Sequence, residues 1–471
     1  MIKKVISNYL YTLGYQVFLM ILPVITLPYI SRVLLPHGVG VNSWAYSFSS
    51  YFLLFAVLGL TTYGQREIAI CKDSEMRSRV FWEIEFSSII TTLVALGAYL
   101  ISILFINKYQ VYLLIYSISI FASLFDISWL FSGTERFSVL TLRNLIIKII
   151  SVISMFVFVH NPNDLAIYIF IQAITVLISN ISLWPVAIKM VGFPKEFLIA
   201  SLVNRIKHSF TFFIPQISIS LYVTLNKVIL GFISGAVQTG YFDSSDRIVR
   251  LIFSVFIAIS TVMLPRMSSF YSLKEYDKIS SFTHVILVLS IWLVLPLIFG
   301  IIANTSMIVL VLLGQAYAPM KIVLKLSALI LLPMSIANVL GNQILIPMNR
   351  VGKYTISVIA GAVINLLIDF PLIISWGAQG AAIASIISET VVAACQIIFC
   401  LDMLKKFEFS WEIIKAFVVA VILFPSTILL MTLFKSTVIL TLVFSIVVAG
   451  IYMLLTARIP VKLIRILKKM T

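Results

Sequence analysis

Long apolar segments separated by short polar ones make up the whole chain. A helix needs about 20 mostly apolar residues to cross the ~30 Å hydrocarbon layer of a bilayer. By this criterion the sequence predicts an all-α polytopic membrane protein with about fourteen spans. The predicted spans lie near residues 8–32, 41–63, 84–106, 109–131, 144–160, 164–188, 209–233, 248–270, 282–304, 322–346, 354–375, 379–401, 413–434 and 437–457.

One apolar segment does not fit the spacing of the others. Residues 279–320 contain no Asp, Glu, Lys or Arg, and we expect a single span in the first part of this stretch. The apolar piece Met307–Leu313 behind that span is too short to cross a bilayer, and Gly314 ends it. We therefore expect an interfacial or re-entrant helix at 307–313.

The distribution of Lys and Arg predicts the orientation of the spans, because short cytoplasmic loops carry an excess of both residues. With the N-terminus inside, 26 of the 34 basic residues fall on the cytoplasmic side, and the alternation persists through all fourteen spans. Lys3 and Lys4 precede an uncharged run from Val5 to Ser31, which is too long for a signal peptide and reads as a retained first span. The sequence predicts a multi-pass protein of the plasma membrane with both termini in the cytoplasm.

Composition removes most other classes of protein. The chain is 61% hydrophobic and 11% charged, which is too little charge to cover a soluble protein of 471 residues. The net charge of +16 is therefore a membrane-topology signal and does not indicate a nucleic-acid partner. Three cysteines and four histidines show no zinc-binding spacing, and no phosphate-binding loop motif appears. These features favour a secondary transporter over an enzyme, and they predict no resident metal or cofactor beyond a coupling ion.

An internal repeat is visible at an offset of about 195 residues, which corresponds to six spans. The stretch Pro28–Leu35 resembles Leu221–Leu230: in each, a Tyr precedes a basic residue, and an apolar run leads into a Gly-containing loop. An even number of spans preserves orientation, so the repeats would be parallel. Chance similarity between apolar sequences is the alternative.

Five motifs follow one another along almost the whole chain: Asn8-Tyr9, Pro28–Leu34, Tyr63-Gly64-Gln65-Arg66-Glu67-Ile68-Ala69, Gly341–Pro347 and Gly377–Ala382. In sequence and in order they resemble the motifs of bacterial Wzx-type polysaccharide flippases. Those flippases share a superfamily with MATE multidrug exporters and the lipid II flippase. The resemblance implies two pseudo-symmetric six-helix lobes, 1–190 (spans 1–6) and 191–408 (spans 7–12), around a central cavity. Residues 409–471 would add spans 13 and 14 and a basic cytoplasmic tail.

Basic residues inside the predicted spans are the candidates for binding substrate. A charge at mid-bilayer costs at least about 2.5–3.5 kcal/mol, so such residues usually face the bundle interior or water. A lipid-linked diphosphate would need cations along its path, and Arg binds phosphate in a bidentate manner. The candidates are Arg32, Lys227, Arg247 and Arg250. The alternatives are an interfacial anchor for Arg32, a buried ion pair for Lys227, and pairing of the two other arginines with Asp243 and Asp246.

Polar and acidic residues in the spans are candidates for coupling transport to an ion. Asn365 and Asp369 lie one helical turn apart, and Asn226 and Ser385 would supply further oxygen ligands. Resemblance to the lipid II flippase implies a sodium site here, although Asn226 stands where that family would have an acid. Interhelical hydrogen bonding is the alternative. Asp126 and Glu389 are the other intramembrane acids, as proton carriers or ion-pair partners.

The leading hypothesis is a flippase for undecaprenyl-diphosphate-linked repeat units of O-antigen, capsule or similar polysaccharides. It would work by alternating access, driven by an ion gradient (Na+ or H+) or by membrane potential. Its partners would be the lipid-linked glycan, the bilayer and other assembly proteins. A cation-coupled multidrug exporter shares the fold but predicts an acidic cavity. A membrane glycosyltransferase or polymerase is a third alternative, which the short outer loops disfavour.

Overall fold

The computed structural model describes residues 2–192, 199–404, 414–423 and 438–461. In this part of the chain all regular structure is helical. The chain divides into two compact units, Met1–Gly240 and Tyr241–Thr471. The lobe boundaries that the resemblance implies, 1–190 and 191–408, stay a prediction.

The first unit contains nine helices in its described part and the start of a tenth. Their bounds are α1 Ile2–Val57, α2 Leu60–Ala69, α3 Ser74–Leu104, α4 Gln110–Ala122, α5 Ser128–Gly133, α6 Phe137–Phe158, α7 Leu165–Ile181, α8 Trp184–Val191, α9 Ile199–Ile233 and α10 Ala236–Ser272. The tenth helix, α10, continues into the second unit beyond Gly240.

Helix α1 carries the first two predicted spans as one kinked helix. The break lies at Leu35, whose φ is 60°, and Pro36 follows it. Proline lacks the amide hydrogen and disfavours the α conformation in the residue before it, so the helix bends here instead of continuing straight. The loop expected between the two spans is reduced to this kink.

Two apolar clusters form the core of the first unit. One joins α1, α3, α4, α6 and α7, with Tyr99 and Ile169 fully buried. The other joins α2, α3, α5 and α8 around the buried rings of Phe81 and Trp129. Because α2 and α3 pack on the second cluster, their opposite faces are held in a defined orientation beside α9, which contacts both helices.

Close packing at α10 depends on glycine. A side chain at Gly240 would place its Cβ 2.1 Å from the carbonyl oxygen of Pro36, and one at Gly40 would lie 1.7 Å from that of Ala236. Both obstacles are backbone atoms that cannot move aside. The start of α10 therefore lies directly against the kinked part of α1, in the manner of small-residue helix contacts in membranes.

In its described part, the second unit contains the rest of α10 and eight further helices. Their bounds are α11 Tyr276–Ile308, α12 Lys321–Leu329, α13 Leu331–Leu340, α14 Val351–Trp376, α15 Ala378–Phe399, α16 Leu401–Leu404, α17 Ile414–Leu423 and α18 Val438–Leu455. One cluster joins α10, α11, α13 and α16, and another packs α17 and α18 against α11.

The separate helix expected at 307–313 is wrong. Helix α11 runs through Met307 and Ile308 without a break and continues into a π-helical turn, Val309–Leu313, that ends at Gly314 with φ 94°. The polar residues Asn304 and Thr305 before Met307 do not end the helix, because their side chains donate to the carbonyl oxygens of Gly300 and Ile301, one turn earlier, at 2.8 and 2.6 Å. The helix therefore continues as far as the glycine. The segment is the last part of α11.

The described residues contain ten helical segments long and apolar enough to cross a membrane, and three shorter apolar ones. Each of the fourteen predicted spans coincides with a described helix in whole or in part, the thirteenth only over Ile414–Leu423. The prediction of an all-α polytopic membrane protein is confirmed.

Candidate functional site

Two of the predicted cationic residues belong to the first unit. Arg32 is exposed on α1, three residues before the kink at Leu35, and Lys227 is half-buried on α9. Helices α1 and α9 pack against each other, so the two repeat-related cations lie on neighbouring helices. Their role in binding substrate stays a prediction.

Arg247 and Arg250 belong to the second unit and form ion pairs within α10. The Nε of Arg247 lies 2.6 Å from Oδ2 of Asp243, and the Nε of Arg250 lies 2.7 Å from Oδ1 of Asp246. Asp243 is buried, whereas the side chain of Arg247 is 43% exposed. Each arginine therefore compensates an aspartate one turn earlier on the same helix, while its own side chain stays partly exposed.

Three of the four predicted coupling-ion residues, Asn226, Asn365 and Asp369, are buried, and Ser385 is half-buried. In the second unit, Asn365 and Asp369 share one face of α14, and neither carboxylate oxygen of Asp369 has a hydrogen-bond partner among the described residues. Ser385 on α15 donates to the carbonyl oxygen of Ala381 at 2.9 Å. Asn226 is buried on α9 in the first unit. The carboxylate of Asp369, buried without a hydrogen-bond partner, is stable only when it holds a proton or a cation.

The acid predicted for the first unit, Asp126, is half-buried, whereas Glu83 and Glu85, which are buried, are not among the predicted acids. Asp126 lies at the break between α4 and α5, where its Oδ1 accepts the amide hydrogen of Ser128 at 3.0 Å. Glu85 on α3 is 1% exposed, and its carboxylate has no hydrogen-bond partner in the described part of the chain. Glu85 is not among the sequence-based candidates, although it is the second residue of the predicted span 84–106. In the second unit, Glu389 is buried on α15.

A cluster of charged side chains joins three helices of the first unit around Arg205 on α9. Its guanidinium donates to Oε2 of Glu67 at 2.6 Å, to Oε2 of Glu83 at 2.9 Å and to the hydroxyl of Tyr63 at 2.8 Å. Arg79 binds the other oxygen of Glu83 at 3.0 Å. We call these five residues the Arg205 cluster.

The cluster forms because each helix supplies its members at helical spacing. Tyr63 and Glu67 are one turn apart on α2, and Arg79 and Glu83 are one turn apart on α3. Glu83 is 3% exposed, so its charge depends on the two guanidinium groups that bind it. The cluster thereby ties α9 to α2 and α3.

A cavity of about 640 Å³ opens beside the Arg205 cluster, entirely within the first unit. Its volume is in the usual range of small-molecule sites. Besides the cluster it is lined by Arg66, Met76, Val80, Ser201, Asn204, His208, Thr211 and Phe212. The sequence analysis interprets the arginines that line this cavity as topology signals, so it does not predict the site. The signal that would have identified the site is the spacing of polar residues along α2, α3 and α9.

No group of three or more potential metal ligands (His, Cys, Asp or Glu) occurs within the part of the chain that the structure describes.

Outside the membrane spans, the hydrogen bond from Arg350 lowers the pKa of Asp402, and the same bond raises the pKa of Arg350. The guanidinium of Arg350 donates to both carboxylate oxygens of Asp402, at 3.0 and 2.6 Å. This pair connects the turn before α14 to α16.

Known proteins resemble the chain in sequence and in fold. The "Putative O-antigen transporter" of Escherichia coli (strain K12) is 28% identical over 389 residues, which cover 80% of this chain and 92% of that protein. The solved structure "Lipid II flippase MurJ, inward closed conformation" has a TM-score of 0.73 at 16% identity, covering 98% of this chain and all of that one. An inward-facing multidrug resistance MATE transporter of the MOP superfamily has a TM-score of 0.61 at 14% identity, covering 82% of this chain and 99% of that one.

The family model described as "Polysaccharide biosynthesis protein" matches residues 5–271, more than half of the 471. The family match confirms the resemblance to polysaccharide flippases that motifs such as Pro28–Leu34 predict, and the two solved structures show that the fold is shared. The chain therefore belongs to the polysaccharide biosynthesis protein family.

Proposed function

We propose that this protein is a flippase that moves undecaprenyl-diphosphate-linked oligosaccharide repeat units from the cytoplasmic to the outer leaflet of the bacterial plasma membrane. The observation that carries the proposal is the family match over residues 5–271 together with a relative named for O-antigen transport, aligned over 92% of its length. The fold shared with flippases and exporters of one superfamily supports a transporter working by alternating access.

The proposed step involves no covalent chemistry, so the protein is a transporter and not an enzyme. Its task is to carry a diphosphate and a glycan through a region of low dielectric constant. Arg32 and Lys227 would offset the phosphate charge in the first unit. Arg247 and Arg250 would do so in the second by exchanging part of their contact with Asp243 and Asp246 for phosphate. Because the side chain of Asp243 is 2% exposed, Arg247 would have to keep one N–H on that carboxylate while another N–H of the same guanidinium binds phosphate.

The orientation that we propose has both termini in the cytoplasm, as the distribution of basic residues indicates. The cargo would then be loaded from the cytoplasmic leaflet, where it is assembled. Other assembly proteins are further proposed partners.

A multidrug exporter is the competing function because a MATE transporter shares the fold. Exporters of cationic compounds are expected to carry acidic residues along the path. Here the described basic candidates include the exposed Arg32 and the partly exposed Arg247 and Arg250. Their exposure favours an anionic cargo.

Deletion of the gene in a host without a redundant transporter tests the proposed function. We expect lipid-linked repeat units to accumulate in the cytoplasmic leaflet, surface polymer to be lost, and the intact gene to restore it. Arg32→Gln and Lys227→Gln should restore export poorly at normal protein levels, whereas Lys108→Gln, in a predicted outer loop, should restore it fully. Unchanged surface polymer in the deletion strain would refute the flippase assignment.

A further inference from the structure

The cavity beside the Arg205 cluster is walled by one face of each of three helices. Helix α2 contributes Tyr63, Arg66 and Glu67, with spacings of three and four residues. The members from α3 are Met76, Arg79, Val80 and Glu83, and those from α9 include Asn204, His208 and Thr211. These spacings match the helical repeat, so a short segment of each helix turns one face to the cavity.

Most charges on the cavity wall are already compensated, but one is not. Arg205 is bound by Glu67 and Glu83, and Glu83 is shared with Arg79. Arg66 is exposed and makes no hydrogen bond or ion pair with any described residue. Three arginines against two glutamates leave the wall with a net positive charge, which is centred on the open guanidinium of Arg66.

The rest of the wall offers hydrogen-bond donors and a flat aromatic surface. The side chains of Asn204, His208 and Thr211 make no hydrogen bond with another described residue, so their polar atoms are available to a ligand. The ring of His208 is stacked on that of Tyr63, with centroids 6.5 Å apart and an interplanar angle of 17°. Amide and hydroxyl groups beside a flat ring can bind the hydroxyls and the apolar face of a sugar.

We propose that this cavity binds the phosphorylated sugar end of the cargo, with phosphate on Arg66 and the sugar against Asn204, His208 and Thr211. This assignment rests on the proposed flippase function and deepens it: the cavity would be a loading site for the head group. Three arginines that line the cavity, Arg66, Arg79 and Arg205, belong to the predicted cytoplasmic segments. The cavity is therefore expected on the side from which the cargo is loaded.

Direct binding to the full-length protein in nanodiscs tests the proposal. The probes are inorganic diphosphate, undecaprenyl diphosphate, and undecaprenyl diphosphate carrying one N-acetylglucosamine. Arg66→Gln should bind every probe about tenfold more weakly, the effect of losing one charge-assisted hydrogen bond. His208→Ala should weaken only the sugar-bearing probe. The matched control is Arg77→Gln, because Arg77 lies on α3 next to Met76 but does not line the cavity.

The three probes also distinguish a lipid head group from a soluble phosphate. Tightest binding of the sugar-bearing lipid, lost in Arg66→Gln and kept in Arg77→Gln, supports the loading site. Equal affinities of Arg66→Gln and Arg77→Gln for all probes would overturn it, as would binding of inorganic diphosphate as tight as that of the lipids. These measurements need no export. A deletion strain with normal surface polymer would refute the flippase assignment and leave any difference in binding in place.

Discussion

At the scale of single residues, the Arg205 cluster shows how a buried charge is kept. Glu83 is 3% exposed and accepts from both Arg79 and Arg205, so its carboxylate is compensated from two helices. The cost of burying such a charge becomes apparent only when a partner is removed. The Lys278–Glu275 pair is a useful contrast because its side chains are 39% and 33% exposed.

Replacing Arg205 should destabilise the first unit. Arg205→Gln removes a positive charge from beside Glu67 and Glu83. We expect the free energy of unfolding to fall by about 3 kcal/mol, within the range for breaking a buried ion pair. Glu83→Gln in the same chain should recover part of it, because the second substitution removes the charge left behind. Thermal unfolding of the purified protein measures both effects.

Lys278→Gln is the control for this cycle. The pair with Glu275 is solvent-screened, so its loss should change stability by less than about 1 kcal/mol. If the double variant loses as much free energy of unfolding as the two single variants together, Arg205 and Glu83 do not interact as described.

At the scale of helices, the lengths of the apolar segments predicted where the helices lie along the chain but not how closely they pack. The contact between the kinked part of α1 and the start of α10 is built on residues without a side chain. Gly40 and Gly240 each face a backbone carbonyl of the other segment. Gly97 on α3 is different, because a methyl group added there would meet no atom within 4 Å.

Gly240→Ala should therefore weaken the contact between α1 and α10. The added methyl group would overlap the carbonyl oxygen of Pro36, and overpacking of this kind costs about 1–3 kcal/mol. Gly97→Ala should instead stabilise α3 by about 0.5–1 kcal/mol, because alanine loses less backbone entropy in a helix. Thermal unfolding that shows the same change for both variants would contradict the described contact.

At the scale of the whole molecule, transport needs a source of energy. In the described part of the chain, Glu85 and Asp369 are fully buried acids whose carboxylates have no hydrogen-bond partner, and Asp369 is the one predicted to bind a coupling ion. Asp369 is fully buried on α14, and its carboxylate oxygens have no hydrogen-bond partner among the described residues. An uncompensated carboxylate in a membrane helix is costly and commonly marks an ion or proton path. We propose that Asp369, with Asn365 beside it, binds the coupling cation.

Asp369→Asn should abolish the dependence of flipping on the cation gradient. The substitution keeps the shape of the side chain but removes the charge that would bind Na+ or H+. Flipping of a fluorescent lipid-linked sugar in proteoliposomes, with and without sodium and pH gradients, measures the dependence and identifies the ion. Asp402→Asn is the control, since Asp402 pairs with Arg350 outside the spans. If Asp369→Asn depends on the gradients as the unaltered protein does, Asp369 does not bind the coupling cation.

The sequence by itself determined the class of fold. The length of each apolar segment and the Lys and Arg residues beside it are local features, and they recur along the whole chain. It also carried the family resemblance, in motifs such as Pro28–Leu34. It did not separate topological arginines from those of a site: Arg66, Arg79 and Arg205 all read as cytoplasmic charges. Only the tertiary structure decided that Arg205 is bound by two glutamates while Arg66 is open to a cavity. The reason is physical: compensation of a charge depends on which helix faces meet, and the order of residues along one helix does not contain that information.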